Sequence, residues 1–492
     1  MFKKIFLQSP LRCGYWITFA VIVKGLFFLF LISERATSVG RGLFYAIAGD
    51  TGYYINPIEN LLKAGIYDPD FRMPGYGAIY FLFRVIFSKE ISLNLLVFAQ
   101  LFLSALSVYI LALIVKEIFN STKWFYISFY AYLVSTYVSI FDIFILTESF
   151  IISSLIFSVF YLVKAINKLN YTALFLSGIF LAWCVFLRPV CLPLFGFFIF
   201  LLTVIWKREH KYNYYKIAKG VFIFLLPFLL IESVWIARNY KVHRAIIPMQ
   251  THLMYPDQIN DKVFMSLFLF VQSWGGDFSW WDPKAEINWF EYIDNREDLK
   301  RQIKNVDFPK YIYTSKFDNK DLLAIKEYIA LLKDKSLPKD KRDEYAQIVA
   351  NSVNEYTHSI KKEKPYVYYV YAPLRLFVKF LFHSGTYNLF NRTYAKLNVI
   401  ELMFKVLMSL IYIFVVIGGS IGILILFFRN YVINKKLLIP VLSLYFITIF
   451  PFVFRYCEYR YFAIGYPFML ICALYFCLAV CGAKRLIRHK QA

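Results

Sequence analysis

The run WITFAVIVKGLFFLFLIS, residues 16–33, decides the fold, because eighteen mostly apolar residues in a row are long enough to approach the thickness of a bilayer. It is too long for the apolar core of a secretory signal, and no small-residue cleavage site follows it, so it reads as a retained anchor. Working outward, similar runs recur. The candidate spans are 13–33, 91–115, 124–141, 149–165, 171–187, 189–206, 220–237, 402–428, 437–454 and 462–481. The whole chain is 59% hydrophobic, too apolar for a soluble protein of 492 residues. The reading is an all-α polytopic membrane protein with about 10 transmembrane helices, and 11 or 12 if an interfacial helix crosses.

The net charge of +23 follows the same map. Basic residues gather in alternate gaps: Lys3 and Lys4, Lys116 and Lys123, Lys164 and Lys168, then Lys207, Arg208, Lys211, Lys216 and Lys219. Lys435 and Lys436 continue the series, and Lys484, Arg485, Arg488 and Lys490 close it. That is a positive-inside distribution, and it places both termini in the cytoplasm. A membrane explains the charge, so nucleic acid is not expected as a partner. Most of the seven cysteines lie in or beside apolar runs, with no CxxC pair and no His/Cys cluster, so no metal site is read from them.

This topology leaves two segments outside, 34–90 and about 238–401. Three parts follow: 1–237, a transmembrane module with its first external loop at 34–90; an external segment, 238–401; and C-terminal transmembrane helices, 402–492. The external segment is charged and reads as mainly helical, with solvated faces in DNREDLKRQIKN. Residues 366–382, YVYYVYAPLRLFVKFLF, read as an interfacial helix. Trp274, Trp280 and Trp281 could stack on a sugar, but are expected rather at the membrane interface.

The first external loop carries AGDTGYYINPIENLLKAGIYDPDFRMPGYGAIY, residues 48–80. Asn56 is a good N-cap, Pro57 suits a first helical position, Glu59 stands where a capping box needs it, and Gly65 is a stop. Ile58, Leu61 and Leu62 give that short helix one apolar face. A second short helix is expected from Pro74 to about Phe87. Asp50 then precedes the first helix and Arg72 the second. A helix N-terminus favours anions, and Arg72 adds a permanent fork-shaped phosphate binder. Gly75 and Gly77 would let backbone approach a ligand closely. A carboxylate and an anion site on one membrane surface suit a reaction on a lipid phosphate.

With Asp50, Tyr53, Tyr54 and RMPGY (72–76) in the first loop, the chain resembles the polyprenyl-phosphate-dependent glycosyltransferases of the GT-C fold, in the protein-mannosyltransferase-like branch, family 39. LTES (146–149), FLRPV (186–190), WIARNYKVHRAIIPM (235–249) and EYRYFAIGYP (458–467) follow in order. The chain departs from the pattern in having Thr51 where many relatives place a second acid, and one proline after Arg72-Met73.

The resemblance implies a GT-C-like helical bundle with interfacial helices in its first external loop and a mainly helical external domain. It also implies an inverting transfer of a sugar from a polyprenyl-phosphate donor to a hydroxyl of a glycan, lipid or protein, at the outer face of the cytoplasmic membrane. In a bacterium the carrier would be undecaprenyl phosphate. Asp50 is the expected general base, ionised because a free Asp titrates near about 3.9. Glu148 is the second acid. Arg72, Arg238, Lys241 and Arg460 are the candidates for the donor phosphate, and Tyr53, Tyr54, Tyr76 and Glu458 for substrate contacts. Glu458 is expected to pair with Arg455 or Arg460, and Asp142 to cap a helix. His243 and His252 are read as loop histidines. No cofactor is required, although a divalent metal stays open. A transporter or lipid flippase is the alternative; it predicts inverted repeats and broken helices, and neither is evident in the sequence.

Overall fold

The computed structural model describes residues 13–35, 42–69, 72–249, 261–279, 285–290, 308–334, 336–430 and 432–491, with side chains to residue 480. Trp280, Trp281 and His252 lie outside the described residues. Among them no β-strand forms, and the one ladder contact is an isolated parallel bridge between Ala46 and Phe144. Seven helices among the described residues are long and apolar enough to cross a membrane: Cys13–Glu34, Lys89–Phe119, Glu148–Asn167, Pro189–Arg208, Tyr214–His243, Val399–Arg429 and Lys435–Phe454. The chain is thus an all-α, multi-pass membrane protein. The runs at 171–187 and 462–481 fall on helices whose apolar parts, Tyr171–Leu187 and Tyr466–Val480, are shorter than those seven.

The run at 124–141 corrects the expectation that no helix is broken. It forms two pieces, Thr122–Leu133 and Thr136–Ile143, bent by 50°. Ser135 between them has an extended backbone, and the second piece tightens into a 3-10 turn at Ile140–Ile143. The freed backbone must find partners in an apolar setting. Gln100 supplies two of them, donating from Nε2 to the carbonyls of Asp142 (3.1 Å) and Phe144 (2.9 Å).

The chain divides into two compact units. The first comprises Met1–His252, Ser384–Leu444 and Ala463–Ala492. At its centre is Glu148–Asn167, 89% buried over its apolar window, whereas Tyr214–His243 is only 28% buried and presents most of its surface outward. Lipid chains are as apolar as leucine, so such helices are held by close packing and hydrogen bonds rather than by exclusion of water. Ser154 donates to Phe180 O at 2.7 Å, and Ser158 and Ser177 bond across the interface at 2.9 Å. Gly178 lets Tyr171–Leu187 touch Tyr214–His243: a Cβ there would lie 2.1 Å from the Phe224 carbonyl oxygen.

The second unit comprises Leu253–His383 and Tyr445–Phe462. Its helices Asp261–Ser273, Asn319–Leu332 and Lys339–Glu363 surround an apolar core containing Phe270, Trp274, Ile329 and Tyr356. A capping box, Asp318 with Asp321, starts one of them. Trp274 is fully buried there, which overturns its expected place at a membrane interface. Of residues 366–382, a π turn at Val367–Tyr371 leads into Ala372–Leu381. Its inner side packs Leu376 and Phe380 and pairs Arg375 with Glu286 (2.8 Å) and Lys379 with Asp277, while Leu374, Val378 and Phe382 stay exposed.

Candidate functional site

The first-loop helix starts earlier than its capping residues suggest. It spans Thr51–Ala64, with Asp50 as N-cap and Pro57 inside it, so Asn56 caps nothing. Tertiary contacts outweigh the local cost of the proline. Tyr54, Ile55 and Ile58 are buried on one face, whereas Leu62 is 40% exposed, so the predicted Ile58–Leu61–Leu62 face is rotated. Gly65 does end the helix, in the left-handed region at φ 69°. Glu59 makes no capping box; it accepts from Tyr80 Oη (2.6 Å) and pairs with Arg84 (2.8 Å). Burial pushes the Glu59 carboxyl up, but the Arg84 and Tyr80 hydrogen bonds outweigh it and hold it below its usual value. The second short helix is Gly75–Arg84, capped by Pro74 as expected but ending before Phe87.

Asp50 does not cap its helix through its side chain. Its Oδ1 stands 3.0 Å from Arg72 Nη2 instead. Thr51, the first residue of the helix, ties down the loop that precedes it. Thr51 Oγ1 accepts the Ala48 N–H (2.9 Å) and donates to Ile145 O (3.1 Å). Ala46 is tied to the same partner segment, donating to Ile143 O (2.9 Å) and accepting from Ile145 N–H (3.1 Å). Four hydrogen bonds within six residues therefore fix the backbone that carries Asp50.

Below the ion pair lies an aromatic floor. The Arg72 guanidinium is 5.9 Å from the Tyr53 ring centre and 5.4 Å from that of Tyr54, within cation–π range. Tyr54 packs on Tyr76 at 5.1 Å, and Tyr76 on Phe150 at 5.6 Å. Tyr76 donates to Gln100 Oε1 at 2.6 Å. Burial first, then the nearby Tyr54 and the Glu148 charge, push the Tyr76 phenol well above its usual value, so it stays a donor. Gly75 and Gly77 do not line a ligand path. A Cβ on Gly75 would lie 2.5 Å from the Phe186 carbonyl, and one on Gly77 3.3 Å from Tyr54 O, so both serve contact between chain segments.

Five of the expected residues, Asp50, Tyr53, Tyr54, Arg72 and Tyr76, are therefore brought together. Glu148 is fully buried and pairs with Arg188, which also donates to Thr147 Oγ1 (2.9 Å). Arg238 lies between the Trp235 and Tyr67 rings, donates to Tyr67 O and reaches Asp68 at 3.4 Å, anchoring the turn after the first loop helix. Met73 packs with Phe186 and Trp235, so this anchor adjoins the arm that bears Arg72. His243 contacts Arg238 at 3.4 Å. Lys241 is exposed. Glu458 and Arg460 belong to the second unit and pair with each other, with Tyr456 donating to Glu458 at 2.6 Å. Arg455 lies instead over the Tyr368 ring at 4.0 Å.

Sequence reasoning missed an ion pair sealed inside the bundle. Lys24, within the first apolar run, lies 3.1 Å from Asp142, each side chain 2% exposed. Asp142 is therefore a partner in a buried ion pair rather than a helix cap. The available signal was a lysine at the middle of one apolar run, and an acid at the very end of another. Among the described residues no group of three or more His, Cys, Asp or Glu could hold a metal ion. No family model matches the sequence, and no curated protein matches it.

Proposed function

We propose that the protein is an inverting glycosyltransferase that takes a sugar from a polyprenyl-phosphate donor and delivers it to a hydroxyl acceptor. The proposal includes a GT-C-like bundle of about ten crossings with its site on the outer face of the cytoplasmic membrane. The observation that carries it is the Asp50–Arg72 pair at 3.0 Å, 14% and 24% exposed, above the rings of Tyr53 and Tyr54. A guanidinium that solvent can reach can exchange a carboxylate for a phosphate, since both accept its two parallel N–H groups. The aromatic floor offers faces to the sugar or to the first lipid carbons.

The step balances without a covalent enzyme intermediate. The donor phosphate takes Arg72, and Asp50, relieved of its cation, becomes a freer proton acceptor. The acceptor oxygen bonds to the anomeric carbon while the bond from that carbon to the phosphate oxygen breaks. The electron pair leaves with the phosphate, where Arg72 stabilises it, and the hydroxyl proton passes to Asp50. Phe150, two residues after the Glu148 that pairs with Arg188, backs the floor through Tyr76; Arg238 adjoins the Arg72 arm through Trp235 and Met73.

Undecaprenyl phosphate is the probe that tests this reading, because it is the part of the donor that does not depend on the sugar. In nanodiscs, wild type should retain it in native mass spectrometry, and Arg72→Gln should lose most of the bound carrier. Equal retention by both proteins would remove the phosphate site from Arg72.

One observation favours a second reading, transport or lipid flipping. A bent helix pair beside a buried Lys24–Asp142 pair is the kind of feature on which moving gates are built. In that case Asp50→Asn would leave the activity unchanged.

A further inference from the structure

Lys24 Nζ carries three protons, and three acceptors meet it: Ser104 Oγ (2.5 Å), Ser139 Oγ (2.9 Å) and Asp142 Oδ2 (3.1 Å). The other carboxylate oxygen, Asp142 Oδ1, accepts from Ser149 Oγ at 2.6 Å. The four partners come from three elements: Ser104 from Lys89–Phe119, Ser139 and Asp142 from the second piece of the bent pair, and Ser149 from the first turn of Glu148–Asn167. A saturated pair sealed from water is costly to bury and weak evidence of stabilisation, since apolar residues of similar size often do as well. Its attested use is to fix one register among several.

The register fixed here is that of the irregular segment 140–147. One side of that segment is clamped by Lys24, Ser149 and Gln100. The other side, through Ile143 O, Ile145 N–H and Ile145 O, is what Ala46 and Thr51 bind. The chain of contacts runs from Lys24 through Asp142 to Ile145, and from Ile145 to the residue next to Asp50. Gln100 closes a second route, because its amide nitrogen holds the segment while its oxygen receives the Tyr76 hydroxyl under Tyr54.

We infer that Lys24 and Asp142, with Gln100, are positioning residues that set the place of Asp50 and its tyrosine floor from inside the membrane bundle. The functional meaning of this rests on the reading of Asp50 as the working carboxylate, but the mechanical coupling does not. No contact of Lys24 or Asp142 with substrate is invoked.

Hydrogen exchange read by mass spectrometry on the full chain in nanodiscs tests the coupling without any substrate. Two variants are compared with wild type: Asp142→Asn, which removes the ion pair, and Gln100→Leu, which removes the second route without leaving a charge behind. Exchange in residues 42–54 should rise by about tenfold or more in both, as a local opening would cause, with the Val399–Arg429 helix unchanged. Unchanged exchange at 42–54 in the Gln100→Leu protein, or a rise shared evenly by all helices, would overturn the inference, the second result meaning a purely global role. Where turnover is measured, both variants should lower kcat at nearly constant KM. An inert Asp50→Asn protein would bear on the catalytic reading alone, and an inactive site with intact 42–54 coupling would leave this inference standing.

Discussion

Two ion pairs in the same unit are built for opposite purposes. Lys24–Asp142 is sealed, each side chain 2% exposed, and every proton of its ammonium is spoken for by a fixed oxygen. Asp50–Arg72 is 14% and 24% exposed and sits on aromatic faces rather than among serines. Oxygen partners in a sealed site cannot be exchanged without unfolding something. A cation resting on rings at a reachable surface keeps its charge available while its carboxylate partner is replaced. The difference separates a pair that holds geometry from a pair that can do chemistry, and it can be attacked from either side.

The largest effect is expected at the sealed pair. Lys24→Met leaves Asp142 buried without its cation and should cost about 3–5 kcal/mol, whereas Lys24→Met with Asp142→Leu should recover most of that loss. Thermal unfolding of the purified proteins reads both. Equal melting points for the single and double variants would break the contrast between the two pairs.

The floor under the open pair comes next. In Gly75→Ala, the new methyl would meet the Phe186 carbonyl at 2.5 Å, so the helix carrying Tyr76 must shift. Overpacking of this kind should cost about 1–3 kcal/mol and weaken undecaprenyl phosphate binding as well, since Tyr54 rests on Tyr76. A stable variant with unaltered binding would show that the floor does not matter.

At the open pair itself, Arg72→Gln should weaken undecaprenyl phosphate binding by about tenfold to a hundredfold, the range for a lost charge-assisted hydrogen bond. Its melting point should hardly move, because the pair is partly open to solvent and screened by it. A large loss of stability would place Arg72 with the sealed pair instead.

The smallest effect is a pH dependence at the edge of the site. Glu59 is held below its usual value of 4.5 in the folded protein by Arg84 and Tyr80. Its contribution should be present above pH 4.5 and fade as the pH falls through the lower folded value. Glu59→Gln should remove that dependence from the acid limb of a melting curve.

Much of this architecture was legible in the sequence, because length and apolarity alone mark a helix that must satisfy its own backbone. The Asp50 and Arg72 positions were legible as well, as charges beside short helices. What was not legible depended on partners far along the chain. The start of the Thr51–Ala64 helix is set by Thr51 bonding Ile145, 94 residues away, and this outweighs the capping pattern at Asn56 and Pro57. The break at Ser135 carries neither proline nor glycine; Ser139 donates to the Ser135 carbonyl (3.0 Å), and Lys24 on another helix holds Ser139 in turn. Trp274 stands in a tryptophan-rich stretch that looks interfacial, yet it is core because Phe270 and Phe308 pack around it. Composition identifies a surface only when nothing distant covers it.

The most direct test of the central claim is turnover of a sugar linked to undecaprenyl phosphate by wild type and Asp50→Asn, side by side in nanodiscs, with donor binding followed in the same samples. The account predicts that Asp50→Asn binds the donor and loses about 10²–10⁴-fold in turnover, the usual worth of a general base. Turnover by Asp50→Asn equal to that of wild type would contradict it.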